Sequence, residues 1–149
     1  MAEIARGTGQ VVYVGFWKRF AAMWIDTLIL TVVIALIVLP IYGSQYPVLK
    51  AQGQTMWIDN VINVGAILAT ILLWRFRGAT PGKMLFSARI VDANTLAAPS
   101  TGKLVGRFFA YLVSMIPAGL GFLWIAFDAR KQGWHDKLAG TVVIEEPDA

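Results

Sequence analysis

Trp17-Lys18-Arg19-Phe20-Ala21-Ala22-Met23-Trp24-Ile25-Asp26 decides the fold: it sets an arginine at the mouth of a long apolar run and a carboxylate seven residues inside it. From Phe20 to Ile41 the only polar residues are Asp26, Thr27 and Thr31. A helix of about 22 residues rises roughly 33 Å, enough to cross a hydrocarbon core of about 30 Å. Residues seven apart on a helix lie within roughly 20° of one another, so Arg19 and Asp26 share a face, with Asp26 about 10 Å deeper. A charge at that depth costs about 2.5–3.5 kcal/mol on insertion scales, so it calls for a function or a partner. Either Asp26 is a titrating group of a transport path, or an arginine neutralises it and the pair ties two helices together.

Working outward, the composition fits a membrane protein. Hydrophobic residues make up 57% of the 149 and charged ones only 15%, against roughly 25% charged in soluble domains. The net charge of +4 belongs to basic residues at the ends of apolar segments, which reads as membrane orientation and excludes a nucleic-acid patch. With no cysteine there is no disulfide framework, thiolate nucleophile or cysteine metal site. The first apolar run is too long for a signal-peptide core, and residues 1–15 read as a short, loosely ordered polar lead-in.

Tyr13, Phe16, Trp17 and Trp24 mark one interface of the first span, and Tyr42 and Tyr46 the other. Pro40, Gly43 and Pro47 end it in a short loop. A second span covers about residues 57–74, with Asp59, Asn60 and Asn63 at its entrance and Arg75 and Arg77 at its exit. In the polar stretch that follows, Thr80-Pro81-Gly82 reads as a turn and residues 85–92 as a strand. A third apolar segment, about 104–127, is broken by Pro117-Ala118-Gly119-Leu120-Gly121. Residues 141–144 form a second strand, and 145–149 an acidic tail. The expected fold is an all-α membrane protein with two transmembrane helices, a third broken segment, re-entrant or kinked, and a small interfacial two-stranded β element.

Charge selects between the two forms of the third segment. With the N-terminus in the cytoplasm, a single crossing would put Arg130, Lys131 and Lys137 outside, against the positive-inside trend. A segment that enters and returns keeps every basic residue except Lys50 inside. It also puts the two strands on one side, where each can satisfy the other's backbone. The re-entrant hairpin, with both termini cytoplasmic, is therefore the expected topology, and a kinked span the alternative.

Few residues carry chemistry. Gly78-Ala79-Thr80-Pro81-Gly82-Lys83 has the outline of a phosphate loop, but Arg77 stands where its first glycine belongs and Met84 where a hydroxyl belongs. His135 is the only histidine, and beside Asp136 it makes neither a metal site nor a triad; an interfacial hydrogen bond is the expected role. The charged candidates are Arg19 with Asp26, and Asp128, Arg130, His135 and Asp136 where the third segment ends. Asp128 or Asp136 could pair with Arg19, Arg75 or Arg107.

Arg19-Phe20 with Asp26, Thr80-Pro81-Gly82-Lys83 leading to Arg89-Ile90-Val91-Asp92, Asp128-Ala129-Arg130-Lys131, and His135-Asp136-Lys137-Leu138-Ala139-Gly140-Thr141 together resemble the RDD family of small bacterial integral membrane proteins, over about residues 15–144. The family's name refers to one arginine and two aspartates. Arg19 and Asp26 match the first two, and either Asp128 or Asp136 the third. The resemblance implies a multi-pass protein of the bacterial inner membrane, with a thin link to cation/proton exchange.

Two functions stay open. One is a small cation/proton or solute transporter with Asp26 as the buried titrating ligand and Arg19 as its counter-ion. Three membrane segments cannot enclose a path alone, so it needs a homo-oligomer. The other is a non-catalytic accessory or assembly module in which the Arg19–Asp26 pair is structural. An enzyme is not expected, nor a cofactor, metal or nucleic-acid partner. The expected partners are the lipid bilayer and a second copy or another membrane protein.

Overall fold

The computed structural model describes residues 10–146. Residues 1–9 of the expected lead-in and 147–149 of the acidic tail lie outside that range. Two long helices rise from a small platform. The first, α1 (Phe16–Tyr42), runs 27 residues and ends where Gly43, at φ 60°, turns its N–H back to Leu39 O at 2.8 Å. Pro40 does not stop it, because it falls in the last turn, where the only bond it forfeits is one to an upstream carbonyl. The loop expected next contains a short helix, α2 (Gln45–Ala51). Helix α3 (Trp57–Arg77) closes with Gly78 in the left-handed region, its N–H on Trp74 O at 3.1 Å. Both long helices keep large apolar side chains exposed, among them Leu28, Leu36, Val61 and Leu68, and they barely touch each other along their length. Length and apolarity make each a membrane span.

The platform starts with α4 (Pro81–Met84), a single turn packed on α1. Strand β1 (Ala88–Asp92) pairs antiparallel with β2 (Thr141–Glu145), Ile90 opposite Val143 and Val91 opposite Val142. The expected first strand began at Leu85. Instead Leu85 to Ser87 leave the α4 turn, with Ser87 at φ 50°, because Thr80-Pro81 starts a helical turn and not a simple bend. The lead-in is partly ordered. Tyr13 bridges Ile144, Val14 N–H reaches Val143 O at 2.9 Å, and Val12 O accepts from Glu145 N–H at 2.8 Å, so residues 12–14 add a third edge to the strand pair.

The alternating register covers both sheet faces. Ala88, Ile90 and Val143 join Val14, Trp74 and Leu104 in one core, while Val91, Val142 and Ile144 pack under Val11, Tyr13 and Leu96.

The third apolar segment is α5 (Thr101–Met115) and α6 (Leu120–Phe127), bent 99° apart. Ala118 and Gly119, at φ 51° and 76°, make the turn. Ser100 caps α5, accepting from Lys103 N–H at 3.3 Å. Close crossing is possible because Gly121 faces Ser114, whose Cα would stand 2.5 Å from any added Cβ. The segment starts and ends at the platform: Leu104 is in the sheet core, and α6 leads into α7 (Trp134–Ala139), which packs on α5. This last helix has no counterpart among the expected elements.

Candidate functional site

The buried charges of the platform converge on Asp136. Helix α7 begins after Gly133, and Asp136 at its third position reaches back to accept the Gly133 N–H at 3.0 Å. The same carboxylate takes two guanidiniums. Arg19 Nη1 donates to Oδ2 at 2.5 Å, and Arg107 Nη2 lies 2.8 Å from Oδ1 in a charge contact without hydrogen-bond alignment. All three side chains are buried, Arg107 and Asp136 completely. Arg19 uses its other donors on backbone, Nε on Val14 O at 3.0 Å and Nη2 on Lys131 O at 2.7 Å. One carboxylate therefore joins α1, α5, α7 and the loop leading into α7.

His135 completes this cluster. Ser114 Oγ accepts the His135 backbone N–H at 3.1 Å and lies 3.1 Å from the ring Nδ1. The other ring nitrogen, Nε2, lies 3.4 Å from Asp136 Oδ2. Tyr111 and Phe122 pack on the ring, with centroids 4.5 and 5.0 Å away. Burial pushes His135 down to about 3, against the pull of Asp136 and with the push of Arg107 and Arg19, so the ring is neutral. Burial works against the charge of Asp136 too, but Arg107 and Arg19 overcome it and hold the carboxyl well below the usual carboxylate range.

Asp26 is held differently. Thr80 Oγ1 donates to its Oδ2 at 2.5 Å and the Gly82 N–H to its Oδ1 at 2.7 Å. Gly82 is pressed against α1, and an added Cβ would overlap Ala22 O and the Asp26 carboxylate. The expected Arg19–Asp26 pair does not form. The two do share a face, but Arg19 points into the platform toward Asp136 while Asp26 meets the turn after α3. Its hydrogen-bond partners are two neutral donors in place of the arginine.

The other expected residues separate. Asp128 accepts from the N–H groups of Arg130 and Gln132 at 3.0 and 3.1 Å and pairs with Lys137 at 2.5 Å, ordering the loop before α7 and meeting no arginine side chain among the described residues. Arg130 donates to Ala93 O and lies over the Tyr13 ring at 5.8 Å. Arg75 is exposed at the end of α3, with no carboxylate partner among the described residues. The His135–Asp136 contact is buried inside the platform.

Three anchors escaped the sequence reading. Thr80 and Gly82 are the partners of Asp26. Lys103 donates to Asp92, which also takes the N–H groups of Asn94 and Thr95 at 3.0 and 3.2 Å; led by the Lys103 bond, these hold its carboxyl down to about 2. At the far end of the spans Asp59 takes the Tyr46 hydroxyl at 2.6 Å, Lys50 Nζ at 3.1 Å and the Met56 N–H at 2.8 Å, clamping α2 to α3. An acidic residue at the third position of a helix was the readable signal for the Asp59 clamp, as it was for Asp136. Among the described residues no cluster of three His, Cys, Asp or Glu could hold a metal ion.

The chain is similar to several bacterial proteins. An uncharacterised Bacillus subtilis protein, YxaI, is 32% identical over 87% of this chain and 95% of its own length. A second B. subtilis protein, the uncharacterised membrane protein YteJ, is 28% identical over 90% of this chain and 82% of its own. An uncharacterised protein of Rickettsia prowazekii, RP437, is 43% identical over half of this chain, a match that spans 41% of that relative's length. No solved structure matches. The model of the RDD family matches residues 13–140, which takes in Arg19, Asp26, the Thr80–Gly82 turn and Asp136; the chain belongs to the RDD family.

Proposed function

We propose that the protein is a non-catalytic assembly module of the bacterial inner membrane, which joins a second copy of itself through the lipid-embedded faces of α1 and α3. The observation that carries this reading is that the deep carboxylates are consumed within the chain. Each oxygen of Asp26 accepts a hydrogen bond, from Thr80 or from Gly82, and Asp136 is held by Arg19, Arg107 and Gly133. The two spans also leave their apolar sides unpacked by one another, and packing of such faces drives helix association in lipid. The platform lies on the cytoplasmic side in this reading, with both termini there and α5–α6 re-entering from that side; it carries all the described Lys and Arg except Lys50.

The absence of native cysteine makes the test direct. Leu36→Cys and Leu68→Cys, placed singly on exposed apolar positions of α1 and α3, are oxidised in native membranes. Cross-linked dimers through either span are the expected result, together with no cation-driven pH change in vesicles above the empty control. Cross-links only to a different protein would replace the second copy with that partner. Proton flux that disappears in a folded Asp26→Asn variant would overturn the reading in favour of a transporter.

A further inference from the structure

The guanidinium of Arg107 has a second neighbour besides Asp136. Its Cζ lies 5.2 Å from the centroid of the Trp74 ring, and Lys83 Nζ lies 5.6 Å from the same centroid. Two cations thus gather on one indole, with Tyr111 closing the group edge-on at 5.7 Å. Cation–π attraction offsets part of their repulsion, but it provides no hydrogen-bond acceptor. Three donors there are left over. Arg107 Nε and Trp74 Nε1 are fully buried with no acceptor among the described residues. Lys83 pairs with no carboxylate among them. A buried donor left unpaired costs about 1–3 kcal/mol, more beside a charge.

The charges do not balance either. Arg19, Arg107 and Lys83 face Asp136 and Asp26, with His135 neutral, which leaves one surplus positive charge. The surplus positive charge disfavours a cation. An anion with several oxygens meets both needs, since one oxyanion can take an ammonium, a guanidinium N–H and an indole N–H at once. Lys83 is half-buried, next to exposed Met84 and Leu85 at an apolar edge of the platform, while Arg107 and Trp74 are fully buried.

We infer that Lys83, Arg107 and Trp74 form a binding site for a phosphate oxyanion, carried either by a lipid headgroup or free in solution. The site goes beyond the assembly reading and does not depend on it. It is not a phosphate loop: its donors are side chains brought together by α3, α4 and α5.

The test uses the full-length chain in neutral detergent and phosphate-free buffer, with the thermal unfolding midpoint as readout. Inorganic phosphate is titrated in one arm, mixed micelles of phosphatidylglycerol in a second, and diacylglycerol, which lacks the phosphate, in a third. A saturable rise with phosphatidylglycerol and none with diacylglycerol is expected. A matching rise with inorganic phosphate identifies a free anion as sufficient, and its absence identifies the headgroup. Lys83→Met, which keeps the apolar stem, and Trp74→Phe, which keeps a ring but loses the N–H, each raise the half-saturating concentration about tenfold or more. The inference is overturned if no phosphate-bearing species gives a saturable rise in the wild-type chain, which would leave water as the partner of these donors, or if both folded variants respond at the wild-type concentration.

Discussion

Asp136 and Asp26 lie at the same end of the molecule, yet the chain holds them by opposite means. Asp136 is wholly buried and balanced by two guanidiniums. Asp26 is half-buried and meets a hydroxyl and a backbone N–H, neither of them charged. The first is an electrostatic latch: remove the carboxylate and two uncompensated guanidiniums remain in a dry site. The second is a local dock that seats one turn of chain on a helix. The difference predicts that the aspartate carrying the fold is the one outside the long apolar run.

The largest effect expected follows from that. Asp136→Asn strands Arg19 and Arg107 without a counter-charge and costs about 3–5 kcal/mol, read as loss of the folded fraction in detergent unfolding. Gly82→Ala comes next: its methyl meets the α1 backbone at Ala22, so α4 must lift away, at about 1–3 kcal/mol in the same assay.

Acid separates the two sites further. His135 is neutral in the folded chain and its folded pKa, about 3, lies below the unfolded 6.5, so the unfolded chain binds more protons between them. Its contribution is complete above about pH 6.5 and declines as the pH falls, by about 1–2 kcal/mol on reaching pH 5. His135→Gln removes that slope. Below about pH 4 a second loss sets in from Asp136 and Asp92, whose folded values are depressed, and the variant retains it. The smallest effect is that of Asp26→Asn. One amide oxygen still accepts while the NH2 faces a donor, so about 1–2 kcal/mol is lost and the protein stays folded.

Much of this architecture was legible in the residues. Apolar length marked α1 and α3, and the Pro117–Gly121 breaker marked the bend between α5 and α6. Charge balance anticipated that this segment returns to the platform, because only then do the two strands meet. What stayed hidden was the direction in which each charge points. Arg19 and Asp26 share a helical face, and the inference that they pair was reasonable at that spacing. An arginine at a helix entrance, however, can turn toward whatever packs there, and α7 could not be placed before the fold brought Gly133–Asp136 onto α5. The Thr80–Gly82 dock was hidden for a similar reason. Thr-Pro-Gly reads as a turn, and nothing local says that its N–H groups will meet a carboxylate 54–56 residues earlier. Residues 12–14 were legible as polar lead-in only, since their pairing with β2 depends on partners more than 120 positions away.

The assignment of partners is tested most directly by two double-mutant cycles measured by detergent unfolding, Arg19→Gln with Asp136→Asn and Arg19→Gln with Asp26→Asn. The latch predicts a coupling of about 1–3 kcal/mol in the first cycle and additivity within about 0.5 kcal/mol in the second. Strong coupling of Arg19 to Asp26, with additivity toward Asp136, would contradict it.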